Sequence, residues 1–106
     1  MSEPYATEQP SRPEVDALAG VTVLDFGTNW CGQCRAARPH IEAALAGRDG
    51  IRHLKIEDGP GRPLGRSFKV KLWPTLVVLR DGVEKARVVR PHEPAAVAEA
   101  IDAANV

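Results

Sequence analysis

Residues 21–47 read as a strand running almost directly into a helix, and the chain's two cysteines stand at the joint. "VTVLDF", 21–26, is apolar and β-branched, the pattern of a buried strand. "CGQCRAARPHIEAALAG" turns helical from Cys31. Ala37, Ile41, Ala44 and Leu45 fall on one face, Gly47 is a stop signal, and Pro39 inside the helix is expected to kink it. A strand that feeds a helix is half of a right-handed βαβ unit, whose second strand lies parallel to the first. "IRHLKIE", 51–57, supplies that strand. This segment alone commits the chain to an α/β architecture.

The remaining elements follow from local signals. Ser11 with Glu14 makes a capping box, Pro13 sits in the first turn, and Gly20 is a stop, so a short helix is expected over 12–19. "DGPGRPLGR" is a loop, followed by a short helix over 63–68. "PTLVVLR", 74–80, and "VEKARVV", 83–89, flank the "DG" of a tight hairpin. "PAAVAEAIDAA", 94–104, is a helix with Pro94 in its first turn and Val97, Ala100, Ile101 and Ala104 inward. The result is a mixed sheet with helices on both faces. Residues 1–10 are polar, contain Pro4 and Pro10, and are expected to form a flexible arm with at most a short strand near Tyr5. Residues 11–106 form one domain.

Composition narrows the function. A chain of 106 residues holds one core. Fourteen basic and fourteen acidic residues cancel, which argues against a general nucleic-acid or anionic-membrane surface. No apolar run approaches the roughly 18 residues of a membrane span. The N-terminus has no basic stretch leading into an apolar one, so it does not read as a secretory signal. The expected compartment is the cytoplasm, where a cysteine pair is catalytic, redox-sensing or metal-binding rather than a structural staple.

The spacing of Cys31 and Cys34 favours the first of these. At a helix start, positions three apart are neighbours on one face. Their Cα atoms then lie about 5–6 Å apart, which suits a disulfide. The free N–H groups and positive end of the helix stabilise an anion at Cys31, so Cys31 is the expected nucleophile and Cys34, one turn in, the resolving thiol. Metal binding needs about four ligands. The pair supplies two, His40 points to another side of the helix, and His53 and His92 are distant in sequence, so no metal site is expected. Asp25 is the one charged residue of "VTVLDF". Burial disfavours the charged form of a carboxylate, which suits Asp25 to exchange a proton with Cys34.

"DF…WCGQC…P", with "WPT" at 73–75 and "DG" at 81–82, resembles the thioredoxin family, and the resemblance runs from about residue 12 to the end. It implies the thioredoxin fold, an α/β arrangement with a central mixed β-sheet of four to five strands flanked by helices on both faces. It implies a thiol–disulfide oxidoreductase that reduces protein disulfides through a reversible Cys31–Cys34 dithiol, with no bound cofactor. Its partners would be disulfide-containing client proteins and a thioredoxin-reductase-like electron donor, and the chain would be a monomer. Asp25 falls on the family's buried aspartate, Trp30 on its active-site tryptophan and Pro39 on its kinking proline. Gly32 and Gln33 lie between the thiols, on the client-facing surface. Pro74 falls on a cis-proline packed against the cysteines, and Trp73 and Thr75 line the groove, with the backbone at Trp73 pairing with an extended client segment.

Five positions depart from the family pattern. Gln33 stands for a proline, Gly27 for a bulky aromatic, Trp73 for a smaller aliphatic, and Arg90, backed by Pro91, for a glycine lining the groove. His53 stands for a lysine near the buried aspartate, and a His53–Asp25 pair would make proton exchange sensitive to pH near neutrality. Gly27, Trp73 and Arg90 imply a reshaped groove. Gln33 restores an N–H that a proline lacks, which is expected to bond the Cys31 sulfur and make the protein less reducing than a Gln33→Pro variant. Two other readings remain open at this stage: a binding module in which the cysteine pair is regulatory, and a dithiol oxidase or isomerase.

Overall fold

The computed structural model describes residues 4–105. The elements are α1 (Arg12–Asp16), β1 (Val21–Gly27), α2 (Gly32–Leu45), β2 (Ile51–Glu57), α3 (Pro63–Ser67), β3 (Thr75–Arg80), β4 (Val83–Val89) and α4 (Pro94–Ala104). The sheet has the order β2-β1-β3-β4. β2 runs parallel to β1, and β3 is antiparallel to both β1 and β4. This is the expected thioredoxin fold, with four strands among the described residues.

The alternation of β1 decides what lies on each side. Val21 and Val23 join Leu76, Val78 and the inward faces of α2 and α4, including Ile41, Val97 and Ile101. Leu24 and Phe26 point the other way, to Val15 of α1, Leu64 of α3 and Phe68. β1 is buried throughout, as a central strand with helices over both faces must be. Each fully buried aliphatic residue contributes roughly 1.5–3 kcal/mol. Asp25 shares the face of Val21 and Val23, so the same alternation that builds the core points its carboxylate under α2.

Local chemistry explains the element ends. Both halves of the Ser11–Glu14 capping box form. α1 stops earlier than expected because its last N–H groups tighten: Ala17 N–H is shared between the Pro13 and Glu14 carbonyls, and Leu18 N–H goes to Val15. Asp81 and Gly82 both take positive φ, 51° and 82°, the geometry of a tight hairpin. β3 starts at Thr75 because Pro74 has no N–H to give the ladder, and its carbonyl only accepts from Arg90.

The N-terminal segment departs from the expected flexible arm. Ala6 bridges to Ile56 in parallel register, with hydrogen bonds to Lys55 and Glu57. Tyr5 is buried. Residues 1–3 of that arm lie outside the described residues. Among the described residues no helix is long and apolar enough to cross a membrane.

Candidate active site

Cys31 is the N-cap of α2, with φ −80° and ψ 120°. Its sulfur accepts the backbone N–H of Cys34 at 3.2 Å, taking the place a Ser or Asp oxygen holds at an ordinary cap. The donor was expected to be Gln33. It is Cys34, because Cys34 is the third helical residue and an N-cap side chain reaches back from there. Cys31 is half-buried and Cys34 is 3% exposed, both as free thiols. Burial and the hydrogen bond with Cys31 push the Cys34 thiol up to about 12, against the opposing effect of the Thr28 N–H and the Tyr5 hydroxyl.

Asp25 is 1% exposed. The sequence suggested an apolar setting, but both carboxylate oxygens are engaged. Tyr5 Oη donates to Oδ1 at 2.8 Å, and His53 Nε2 lies 2.9 Å from Oδ2. The His53–Asp25 pair expected from the sequence is therefore present. It forms because His53 pairs in register with Val23 on β1, two positions from Asp25 and on the same face. His53 is part-exposed and Asp25 is not, so the ring links the carboxylate to the surface.

Tyr5 is the member of this cluster that sequence reasoning missed. Its backbone N–H donates to Asn29 Oδ1 at 2.8 Å, and Lys55 Nζ sits 4.6 Å from its ring centre. The signal that pointed to it is Gly27. A Cβ there would lie 2.6 Å from Cys34 Sγ and 2.8 Å from Tyr5 Oη. The position needs glycine because thiol and phenol meet over it, and the aromatic bulk absent at 27 arrives from Tyr5.

The second segment is brought alongside. The Trp73–Pro74 peptide is cis, as the resemblance implied. Pro74 is buried, and Thr75 is buried with its hydroxyl donating to the Leu72 carbonyl. Trp73 Nε1 donates to Asp58 Oδ2 at 2.9 Å, and its ring meets that of Trp30 edge-on, 5.7 Å between centres. Trp30 itself is 71% exposed. At Gly32 a Cβ would meet nothing within 4 Å, so this stretch faces open space. Gln33 and Arg90 line one shallow hollow with His40 and Pro91.

Arg90 has φ 49°, a left-handed backbone that glycine adopts without strain. Its N–H donates to the Pro74 carbonyl, and its guanidinium Nε donates to the Trp73 carbonyl at 2.8 Å. The carbonyl expected to meet a client backbone is thus covered by this side chain. On the far side of Trp73 a cleft of about 590 Å³ is lined by Arg62, Arg66, Lys69 and Lys71, so this flank of the groove is basic.

The thioredoxin family model matches residues 6–103. The thioredoxin of Chlamydia trachomatis serovar D is 36% identical over 76 residues, which is 70% of this chain and 74% of that protein. The thioredoxin of Staphylococcus haemolyticus is 32% identical over 87 residues, 79% of this chain and 82% of that one. Among solved structures, thioredoxin 2 from Pseudomonas aeruginosa in its reduced form superposes with a TM-score of 0.87 at 53% identity, covering 98% of this chain and 96% of its own. Thioredoxin f from spinach chloroplast gives 0.77 at 25% identity, covering 97% and 93%. With the paired thiols at the head of α2 and a match that spans nearly its whole length, this chain belongs to the thioredoxin family of thiol–disulfide oxidoreductases.

Proposed function

We propose that the chain is a cytoplasmic reductant of protein disulfides, acting as a monomer and recharged by a thioredoxin-reductase-like donor. The observation that carries this reading is the asymmetry of the thiol pair. Cys31 is accessible and receives a backbone N–H, the bond a sulfur anion needs. Cys34 is buried and held as a thiol at neutral pH. Cys31 attacks one client sulfur and the other leaves as a thiolate. Cys34 then loses its proton towards Asp25 and attacks Cys31, which releases the second client sulfur and leaves the Cys31–Cys34 disulfide.

An extended client segment lies against Trp73, Pro74 and Thr75, flanked by Trp30, Gly32 and Gln33. Its main chain pairs with the backbone at Trp73 once Arg90 swings off the carbonyl. Reduction of insulin with a dithiol electron source tests the activity. Catalysed reduction that disappears in Cys31→Ser is expected. An intact pair without turnover would overturn the reading in favour of a binding module. Cys34→Ser is expected to hold clients as mixed disulfides on Cys31.

A further inference from the structure

We infer that Tyr5 is a proton-relay residue of the resolving step, its hydroxyl spanning the gap between the Cys34 thiol and the Asp25 carboxylate. The inference rests on the dithiol function proposed above. Three geometric observations carry it. Tyr5 Oη donates to Asp25 Oδ1 at 2.8 Å. The hydroxyl and Cys34 Sγ each approach within 3 Å of one point, the absent Cβ of Gly27, at 2.8 and 2.6 Å. The space beside Tyr5, Asp25 and His53 amounts to about 10 Å³, at the lower limit for a single water of about 10–15 Å³. No chain of waters fits on that side, while the cleft on the Cys34 side, about 290 Å³, is also bordered by Tyr5. The phenol borders both spaces, so it is the protein group placed to connect thiol to carboxylate.

The hydroxyl is also held in place. The Tyr5 N–H bonds Asn29, and Ala6 bonds Lys55 and Glu57 through both backbone groups. The charged and titratable groups facing Tyr5 are Asp25 from β1, His53 and Lys55 from β2, and Cys34, Arg35, Arg38 and Glu42 from α2. Burial, then the charges of Asp25 and Cys34, hold the phenol well above its usual range, so it does not act as a free tyrosinate. A relay does not require one. The Cys34 S–H proton passes to Tyr5 Oη as the Tyr5 O–H proton passes to Asp25 Oδ1. The Cys34 sulfur attacks Cys31 Sγ, the bond from Cys31 to the client sulfur breaks, and that sulfur leaves with the electron pair. The two cysteines are oxidised and the client disulfide is reduced. The proton on Asp25 leaves by way of His53, which reaches the surface.

A symmetric aryl disulfide tests this in single turnover with the reduced protein. Attack by Cys31 releases one coloured thiolate and resolution by Cys34 releases a second, so one trace reads both steps. In Tyr5→Phe the ring and its packing remain. The ratio of resolution to attack is expected to fall at least about 100-fold, the low end of what a positioned acid or base supplies. The variant's resolution rate is also expected to climb steeply with pH as hydroxide takes over the proton. Combining Tyr5→Phe with Asp25→Asn should slow resolution no further than the slower single variant, since both interrupt one path. An unchanged ratio overturns the relay, and so does a multiplied effect in the double variant. Wild-type protein that releases the first thiolate and never the second sinks the dithiol reading itself.

Discussion

Gly27→Ala is the sharpest stability test of the way thiol and phenol meet. The added methyl would stand 2.6 Å from Cys34 Sγ, 2.8 Å from Tyr5 Oη and 2.9 Å from Tyr5 Cζ, where ordinary contact begins at 3.4 Å. Cys34 has little room to yield. It is buried on α2, whose neighbouring residues Ala37 and Ile41 pack into the core. Tyr5 belongs to a segment pinned by a few hydrogen bonds, so it is the partner that withdraws. Overpacking of this kind costs about 1–3 kcal/mol. For a domain near 100 residues, each kcal/mol lowers the melting temperature by about 4–8 °C, so a fall of at least about 4 °C is expected. The diagnostic is a double-mutant cycle with Tyr5→Ala, followed by thermal and urea melts. Tyr5→Ala alone removes a buried aromatic side chain and costs about 3 kcal/mol or more. In that background the Cys34 sulfur can move into the vacated space. The alanine penalty should then shrink by a coupling energy of about 0.5–3 kcal/mol. Additive penalties would refute the claim that Tyr5 and residue 27 compete for one volume, and so would a Gly27→Ala protein that melts like wild type.

Four further outcomes follow from the same geometry. Arg90→Gly frees the Trp73 carbonyl and relieves a left-handed arginine, worth about 1 kcal/mol. It should broaden the set of disulfide peptides reduced, measured as the spread of kcat/KM across a peptide panel. Gln33→Pro places proline in the first turn of α2, where it fits. It should keep the fold and lower the redox potential by removing one N–H dipole near Cys31, read by equilibration with a dithiol buffer. The effect should be modest, because the direct donor to Cys31 is Cys34. Asp25→Asn keeps the buried shape and should slow disulfide turnover in the insulin assay, and unchanged turnover removes Asp25 from proton transfer. The alkaline stability of the reduced form follows from Cys34. Its folded value, about 12, lies above the ordinary 9.0, so its contribution is full below pH 9 and lost as pH rises towards 12. The Cys31–Cys34 disulfide has no such proton, so urea midpoints should fall more steeply for the reduced form than for the oxidised form over that range.

The parts legible in the sequence are those written in short-range patterns. β1, α2 and β2 announced themselves by periodicity, the hairpin by Asp81–Gly82, and α1 by its capping box. The dithiol needed only the spacing of Cys31 and Cys34. The Asp25–His53 pair was expected only through the family resemblance, which sets His53 at a position beside the buried aspartate. What stayed hidden depends on approach in space. Tyr5 lies twenty residues before Asp25 in a polar, proline-containing stretch, and nothing local says that it is buried. Gly27 carried the complementary signal, a missing side chain, but an absence does not name the residue that fills it. The reach of Arg90 to the Trp73 carbonyl was hidden for a related reason. It arises from a left-handed backbone at the end of β4, a conformation that an arginine in the sequence does not suggest.

The family motif and its surroundings therefore divide the work. The motif supplies an accessible sulfur at a helix N-terminus and a buried one behind it, and that arrangement sets the first attack. In the proposed relay the Cys34 proton passes through the Tyr5 phenol to Asp25 and leaves by way of His53. Arg90 covers the Trp73 carbonyl and Trp30 meets Trp73 edge-on, the arrangement proposed to govern access to the groove. Neither set alters the N–H that Cys34 gives to Cys31. Substitutions around the motif should thus change how fast a mixed disulfide resolves and which clients enter, and leave the intrinsic reactivity of Cys31 towards a small disulfide nearly constant. A correlated loss of Cys31 reactivity in Tyr5→Phe and Arg90→Gly would show that the two layers are not separable.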